Sequence, residues 1–148
     1  MNEITDTRFP NPLVCADFGK TTDGGDRKIL LKDFIYIDPI WDKIEVPHGF
    51  IFDGASIPRF AWSLLGLYPF SSEVVRAGLI HDFLYRKQFL TRHEADDVLR
   101  RILIYEGILS PAKIAIIYNA VRVAGGPSYD QYQQESDYLR PDEVKKFI

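Results

Sequence analysis

The stretch Gly78-Leu79-Ile80-His81-Asp82-Phe83-Leu84-Tyr85-Arg86 sets a histidine and an aspartate side by side in an apolar run. Imidazole exchanges a proton near neutral pH, and an adjacent carboxylate can orient it or hold a cation. Burying either group without a partner costs about 1–3 kcal/mol, so partners are required. Tyr85 follows His81 by one helical turn on the same face, where its hydroxyl can orient a carboxylate. A second acidic pair, Asp96-Asp97, comes later, and Asp53-Gly54-Ala55-Ser56-Ile57-Pro58-Arg59 is a small-residue loop with its own acid. Gly54 admits positive φ there, and successive backbone N–H groups can face an anion or a carbonyl oxygen. One assembly of these parts is a hydrolase of ester or amide bonds. His81 is its general base, Asp82 and Asp96 align it, and Tyr85 supports them. The loop of Asp53, Gly54, Ala55, Ser56 and Arg59 binds, and Asp82 with Asp53 holds a divalent cation, calcium or zinc.

Each part has a structural reading as well. His81 and Asp82 can tie a helix to backbone and to an arginine, Arg76 or Arg86. Asp96 and Asp97 can stabilise a helix N-terminus, with Asp97 pairing to His93 one turn before it. Asp53 can close an Asx-type turn before Pro58. Ser56 lacks the GxSxG setting of a nucleophilic serine. A catalytic cluster requires a water-accessible cleft over His81, whereas a structural one is sealed.

The elements that must position these residues change period along the chain. Residues 13–18 and 29–37 are expected as two strands of a hairpin, joined by turn chemistry that includes Gly24-Gly25. Residues 43–46 and 49–52 are two shorter β segments. Residues 59–65 suit one or two helical turns, ended by Gly66 and Pro69. Ser71-Ser72-Glu73 is a plausible start for the helix carrying Val74, Ala77, His81 and Tyr85. Thr91 and Glu94 have the spacing of a capping box, and Ala95, Val98, Leu99, Ile102 and Leu103 share one face behind it, up to Gly107. Ser110-Pro111 opens a third helix that Gly125-Gly126-Pro127 stops. A polar tail over 127–148 carries a short helix from Pro141. Strands first and helices after predict a single α+β domain over 1–148, a small N-terminal antiparallel sheet packed against a C-terminal three-helix group.

Composition narrows the function classes. With 21 acidic and 18 basic residues the net charge is −3, and no basic block appears, which argues against a nucleic-acid partner. The single cysteine excludes an intramolecular disulfide and a multi-cysteine zinc site. The N-terminus is polar and acidic, unlike a signal peptide, and no apolar run has the length of a membrane span. Aromatic residues make up 14% of the chain, which suits a well-packed fold and also a docking surface.

Three sets of residues, Val46-Pro47-x-Gly49-Phe50-x-x-Asp53-Gly54-Ala55-Ser56-Ile57-Pro58-Arg59, His81-Asp82-x-Leu84-Tyr85 and Thr91-Arg92-x-Glu94-Ala95-Asp96, resemble a phage-associated family, the domain of unknown function numbered 1353. Tyr118-Asn119-Ala120-Val121-Arg122 and Gly125-Gly126 fit it too, so the likeness spans roughly residues 46–129. It implies a bacteriophage or prophage origin, with other phage proteins as partners. By the same implication the protein works as an accessory or virion component, tail or particle, made in the host cytoplasm and destined for the particle. More distantly, HDxxY followed by a later aspartate is similar to calcium-dependent phospholipases. That likeness would make His81 the water-activating base, Asp82 a calcium ligand and Asp96 the holder of the histidine. The glycine-rich calcium loop of those enzymes has no clear equivalent here unless residues 53–56 serve. His48, His81, Asp82 and Asp96 also reproduce the ligand order of HD-type metal-dependent phosphohydrolases, although that fold is all-helical and His48 lies between expected strands.

Overall fold

The computed structural model describes residues 6–21, 25–54 and 56–131. It is an α+β structure, with strands in the N-terminal half and helices after them. The chain divides into two compact units, one running up to Phe52 and the other beginning at Asp53.

The first unit contains β1 (Cys15–Lys20), β2 (Asp26–Leu30), β3 (Phe34–Asp38), β4 (Asp42–Val46) and β5 (Ile51–Phe52). They form two sheets: β1-β2-β5 and β3-β4. The expected hairpin is present, β1 running antiparallel to β2 with Cys15 opposite Leu30. The expected strand over 29–37 is two strands, and they belong to different sheets. Apolar content runs on through the break, but Asp33 redirects the chain. Its Oδ1 accepts the His48 backbone N–H at 2.8 Å and lies 2.7 Å from the His48 ring Nδ1. Within β3 the pleat alternates, burying Phe34, Tyr36 and Asp38. The Phe9 ring packs on Phe34 and Tyr36, with centroids 5.6 and 5.1 Å away. Asp38 is buried yet satisfied: it accepts the Tyr36 hydroxyl at 2.8 Å and the Ile40 and Trp41 amides at 3.0 Å. That Asx turn carries the chain into β4, where Asp42 takes φ of 63°.

The second unit contains α1 (Arg59–Leu65), α2 (Val75–Lys87), α3 (Arg92–Glu106), α4 (Pro111–Ala124) and α5 (Gly126–Gln131). Gly66 closes α1 in the left-handed region. α2 starts at Val75 without a side-chain cap, later than Ser71-Ser72-Glu73 suggests, because residues 71–74 are spent on turns. α3 has the full capping box, Thr91 accepting from the Glu94 amide while Glu94 accepts from the Thr91 amide. Its buried face is Ala95, Asp96, Val98, Leu99, Ile102 and Leu103. Arg76 meets Glu106 at one end and Tyr85 meets Asp96 at the other, so α2 and α3 are antiparallel. Ser110 caps α4 with Pro111 in its first turn, as expected. Gly125 ends α4 but does not stop helical structure. It stays in the right-handed region, and α5 follows at once. Pro127 is tolerated because the first turn of a helix needs no amide donor. The expected turn residue Gly24 and the short helix from Pro141 lie outside the described residues, as does residue 55.

Replacing Thr91 with alanine removes one arm of the capping box and should cost about 1 kcal/mol in a denaturant titration. The transition slope should not change, since the exposed surface is the same. An unchanged midpoint would remove the capping box from the list of features holding α3.

Candidate functional site: a sealed serine–histidine–aspartate chain

α2 and α3 run antiparallel, and the 53–58 loop closes over them within the second unit. His81 projects from α2 between two acceptors. Its Nε2 lies 2.7 Å from Asp96 Oδ1 on α3, and its Nδ1 lies 2.9 Å from the Ser56 hydroxyl of the loop. Ser56 in turn contacts Asp82 Oδ1 through its hydroxyl, with its amide 3.3 Å from the same oxygen. The other oxygen of Asp82 accepts the Gly54 amide at 2.8 Å and the Asp53 amide at 3.3 Å. Asp82 is thus the anion of the backbone nest that the small-residue loop was expected to form.

At the far end, Asp96 gathers more donors. Tyr85 donates its hydroxyl to Oδ1 at 2.6 Å, and the Arg122 guanidinium from α4 reaches Oδ2 at 2.7 Å. Arg92, one turn before Asp96, lies 3.8 Å from Oδ2 and donates to the Val121 and Arg122 carbonyls at the end of α4. Burial by itself would push the Asp96 carboxyl above its ordinary pKa. The hydrogen bond and charge of His81, with Tyr85 and Arg122, outweigh it and hold the carboxyl below its ordinary value. The Tyr85 phenol is pushed well up, by burial first and then by its bond to Asp96, and stays a donor. Arg122 is raised by its hydrogen bond to Asp96.

Hydrogen counting gives a proton pattern that satisfies the whole network. A carboxylate only accepts, and a hydroxyl has one hydrogen. If Ser56 gives its hydrogen to Asp82, His81 Nδ1 must donate to Ser56 Oγ. Nε2 must also donate, because it faces Asp96. Each contact along Arg122–Asp96–His81–Ser56–Asp82 is satisfied with the ring doubly protonated, an assignment that follows from the network.

The cluster has no opening to solvent: Ser56, His81, Asp82, Tyr85 and Asp96 are each 0% exposed. Two glycines let it close. Gly54 has φ of +74°, and a Cβ there would lie 2.8 Å from Pro69 Cβ. A Cβ on Gly125 would lie 2.4 Å from the Val121 carbonyl oxygen and 2.7 Å from the Tyr85 hydroxyl.

The structure therefore brings together Gly54, Ser56, His81, Asp82, Tyr85 and Asp96. Asp53 joins through its amide, while its carboxylate turns to Arg86 at 3.5 Å. Arg59 is exposed at the start of α1, and Ala55 is the undescribed residue 55. Asp97 lies outside the chain, 3.0 Å from the Tyr118 hydroxyl and 3.6 Å from His93. The cation reading does not fit the donor set: both Asp82 oxygens already accept hydrogens, and the Asp53 acid faces a guanidinium. Among the described residues no three His, Cys, Asp or Glu side chains are placed to hold a metal ion. His48 belongs to the first unit and pairs there with Asp33.

Sequence reasoning missed Arg92, Arg122, Gly125 and the linking role of Ser56. Only Arg92 leaves a local signal, its i, i+4 spacing to Asp96. The others depend on contacts between distant segments.

The chain is thus an α+β protein with an internal serine–histidine–aspartate chain. It belongs to the DUF1353 family of proteins of unknown function, whose model matches residues 29–121. It is also 40% identical over 65 residues to the uncharacterized protein y4jT of Sinorhizobium fredii (strain NBRC 101917 / NGR234). That match covers 44% of this chain and 19% of the relative. No solved structure matches. No helix among the described residues is long and apolar enough to cross a membrane.

Two outcomes test this geometry. Asp82→Asn sets an amide against four donors and should cost about 3–5 kcal/mol, whereas Asp97→Asn on the half-exposed face should cost about 0–1. Equal shifts in melting temperature would contradict the placement. The lowered Asp96 carboxyl stabilises the fold fully above its unfolded value of about 3.9, and that contribution is lost as pH falls through the lower folded value. The stability gap between wild type and Asp96→Asn should accordingly narrow below about pH 4. A gap that stays constant from pH 6 down to that range would show that Asp96 is not held as a charged acceptor.

Proposed function

We propose that this chain is a phage-type accessory or particle protein that works by binding other proteins, with the His81 cluster as an internal clasp. The observation carrying this reading is the sealing of the cluster, in which His81, Ser56, Asp82 and Asp96 have no solvent-exposed surface. A general base must reach its water or substrate and must offer a lone pair. In the assigned network both ring nitrogens donate, and the nest that could steady an oxyanion already holds Asp82. The surface supplies what a binding protein needs. Phe60 and Leu64, one turn apart on α1, are 55% and 68% exposed, and Tyr68 follows at 50%. The phage association rests on the family likeness.

One observation favours the alternative, an ester or amide hydrolase. A hydroxyl, an imidazole and a carboxylate stand in hydrogen-bonded order, as nucleophilic catalysis requires.

His81→Asn separates the two. Both amide hydrogens of asparagine sit on one nitrogen and cannot span the gap that the two imidazole nitrogens bridge between Ser56 and Asp96, so the clasp reading expects a loss of about 3 kcal/mol or more. It also expects no turnover by wild type on lipid, peptide and glycan probes, and no calcium-dependent rise in melting temperature. Wild-type turnover that vanishes in a His81→Asn protein of unchanged melting temperature would overturn the clasp and establish the hydrolase.

A further inference from the structure

In the second unit, α3 and α4 with the turn between them leave a groove of about 650 Å³. Its floor is Ile114, which is buried, and its walls include Ile104, Leu109 and Ala115. Ile104 is 60% exposed, so apolar surface is left open to water where a ligand could cover it. The volume falls within the range of about 300–1,000 Å³ typical of small-molecule sites.

Charge decides what kind of small molecule. Of the residues lining the groove, Arg100 alone is charged. Its guanidinium stands over the Tyr118 ring, Cζ 4.2 Å from the centroid, a cation–π contact that holds it at the groove. Its ionic contact to Asp97 is 3.7 Å, beyond hydrogen-bond length. Asp97 meanwhile accepts the Tyr118 hydroxyl at 3.0 Å. The guanidinium edge is therefore positioned but not consumed, and a planar fork of N–H donors matches a carboxylate.

We propose that this groove binds a small amphipathic carboxylate, its aliphatic or aromatic body against Ile104, Leu109, Ile114 and Ala115 and its acid on Arg100. The site lies outside the His81 cluster and stands whether that cluster is a clasp or a catalyst.

The test uses the full chain and alkyl carboxylates from hexanoate to decanoate, below micelle-forming concentration, followed by NMR shifts of the Ile104, Ile114 and Tyr118 signals and by calorimetry. Saturable binding should tighten by about three- to four-fold per added methylene that reaches the floor. Arg100→Gln should weaken decanoate by about ten-fold or more, while decanol binds the wild type no tighter than it binds that variant. Ala115→Phe, at an exposed helical position, should block the groove and abolish binding with the circular dichroism spectrum unchanged. Decanol binding as tightly as decanoate, an Arg100→Gln protein of wild-type affinity, or no saturable shift in those signals would each overturn the proposal. A His81→Asn protein that remains folded should bind decanoate as wild type does, so failure of the clasp reading leaves this result distinguishable.

Discussion

Two carboxylates buried in one small unit set the constraint on which the rest depends. An ionised acid removed from water without partners costs several kcal/mol, and Asp82 and Asp96 are both fully buried. The fold resolves this by supplying each acid with donors from different segments. Asp96 takes them from α2 and α4, and Asp82 takes them from the 53–58 loop. His81 and Ser56 then join the two acids into one chain. Removing any segment would leave an acid short of donors. The packing of α2, α3, α4 and the loop is therefore held by the same few side chains.

What could be read from the sequence divides along a physical line. Thr91 with Glu94, Ser110 with Pro111, and Gly107 are local signals, because a helix end is satisfied by residues within one turn of it. They fall where their spacing puts them. The stacking of Tyr85 on His81, with ring centroids 4.1 Å apart, follows equally from helical geometry. α3 returns on α2 after a short connection, and this brings Asp96 to His81. Non-local features left no such mark. Nothing in residues 29–37 shows that a single apolar run serves two sheets, since the partner strands decide it. Arg122 looks like any arginine near a helix C-terminus until α4 is placed beside Asp96. Gly125 reads as a helix stop, yet its small size is set by the Tyr85 hydroxyl arriving from another helix.

The order serine, histidine, aspartate is chemically suggestive, and the differences from a working triad lie in access and direction. In nucleophilic catalysis the hydroxyl faces substrate and the imidazole accepts its proton. In the network as assigned, the hydroxyl donates to Asp82 and the imidazole donates to the hydroxyl. The backbone amides that would receive a developing oxyanion are occupied by that same carboxylate. An internal anion in an anion site is a filled site. Hydrogen-bond order alone thus does not separate a catalyst from a clasp, and the group held in the nest is what supports the clasp proposed above.

Composition explains why a clasp of this kind is needed at this place. Gly54 and Ser56 carry little apolar surface, so within this loop the buried Ile57 is the apolar anchor and the residues before it are held by polar contacts. Backbone amides are its main resource, and a buried amide without an acceptor would itself be costly. A carboxylate has two oxygens and about four lone-pair sites, enough to collect several amides at one point. Asp82 does this for residues 53, 54 and 56, with the Ser56 hydroxyl as a further donor. Asparagine could not, because its amide nitrogen would confront the same donors. The charge this brings into the interior is then balanced through Ser56 to His81, and beyond Asp96 to Arg122. The amides of this loop are in this way tied into a charged network that runs through His81 and Asp96 to Arg122 on α4.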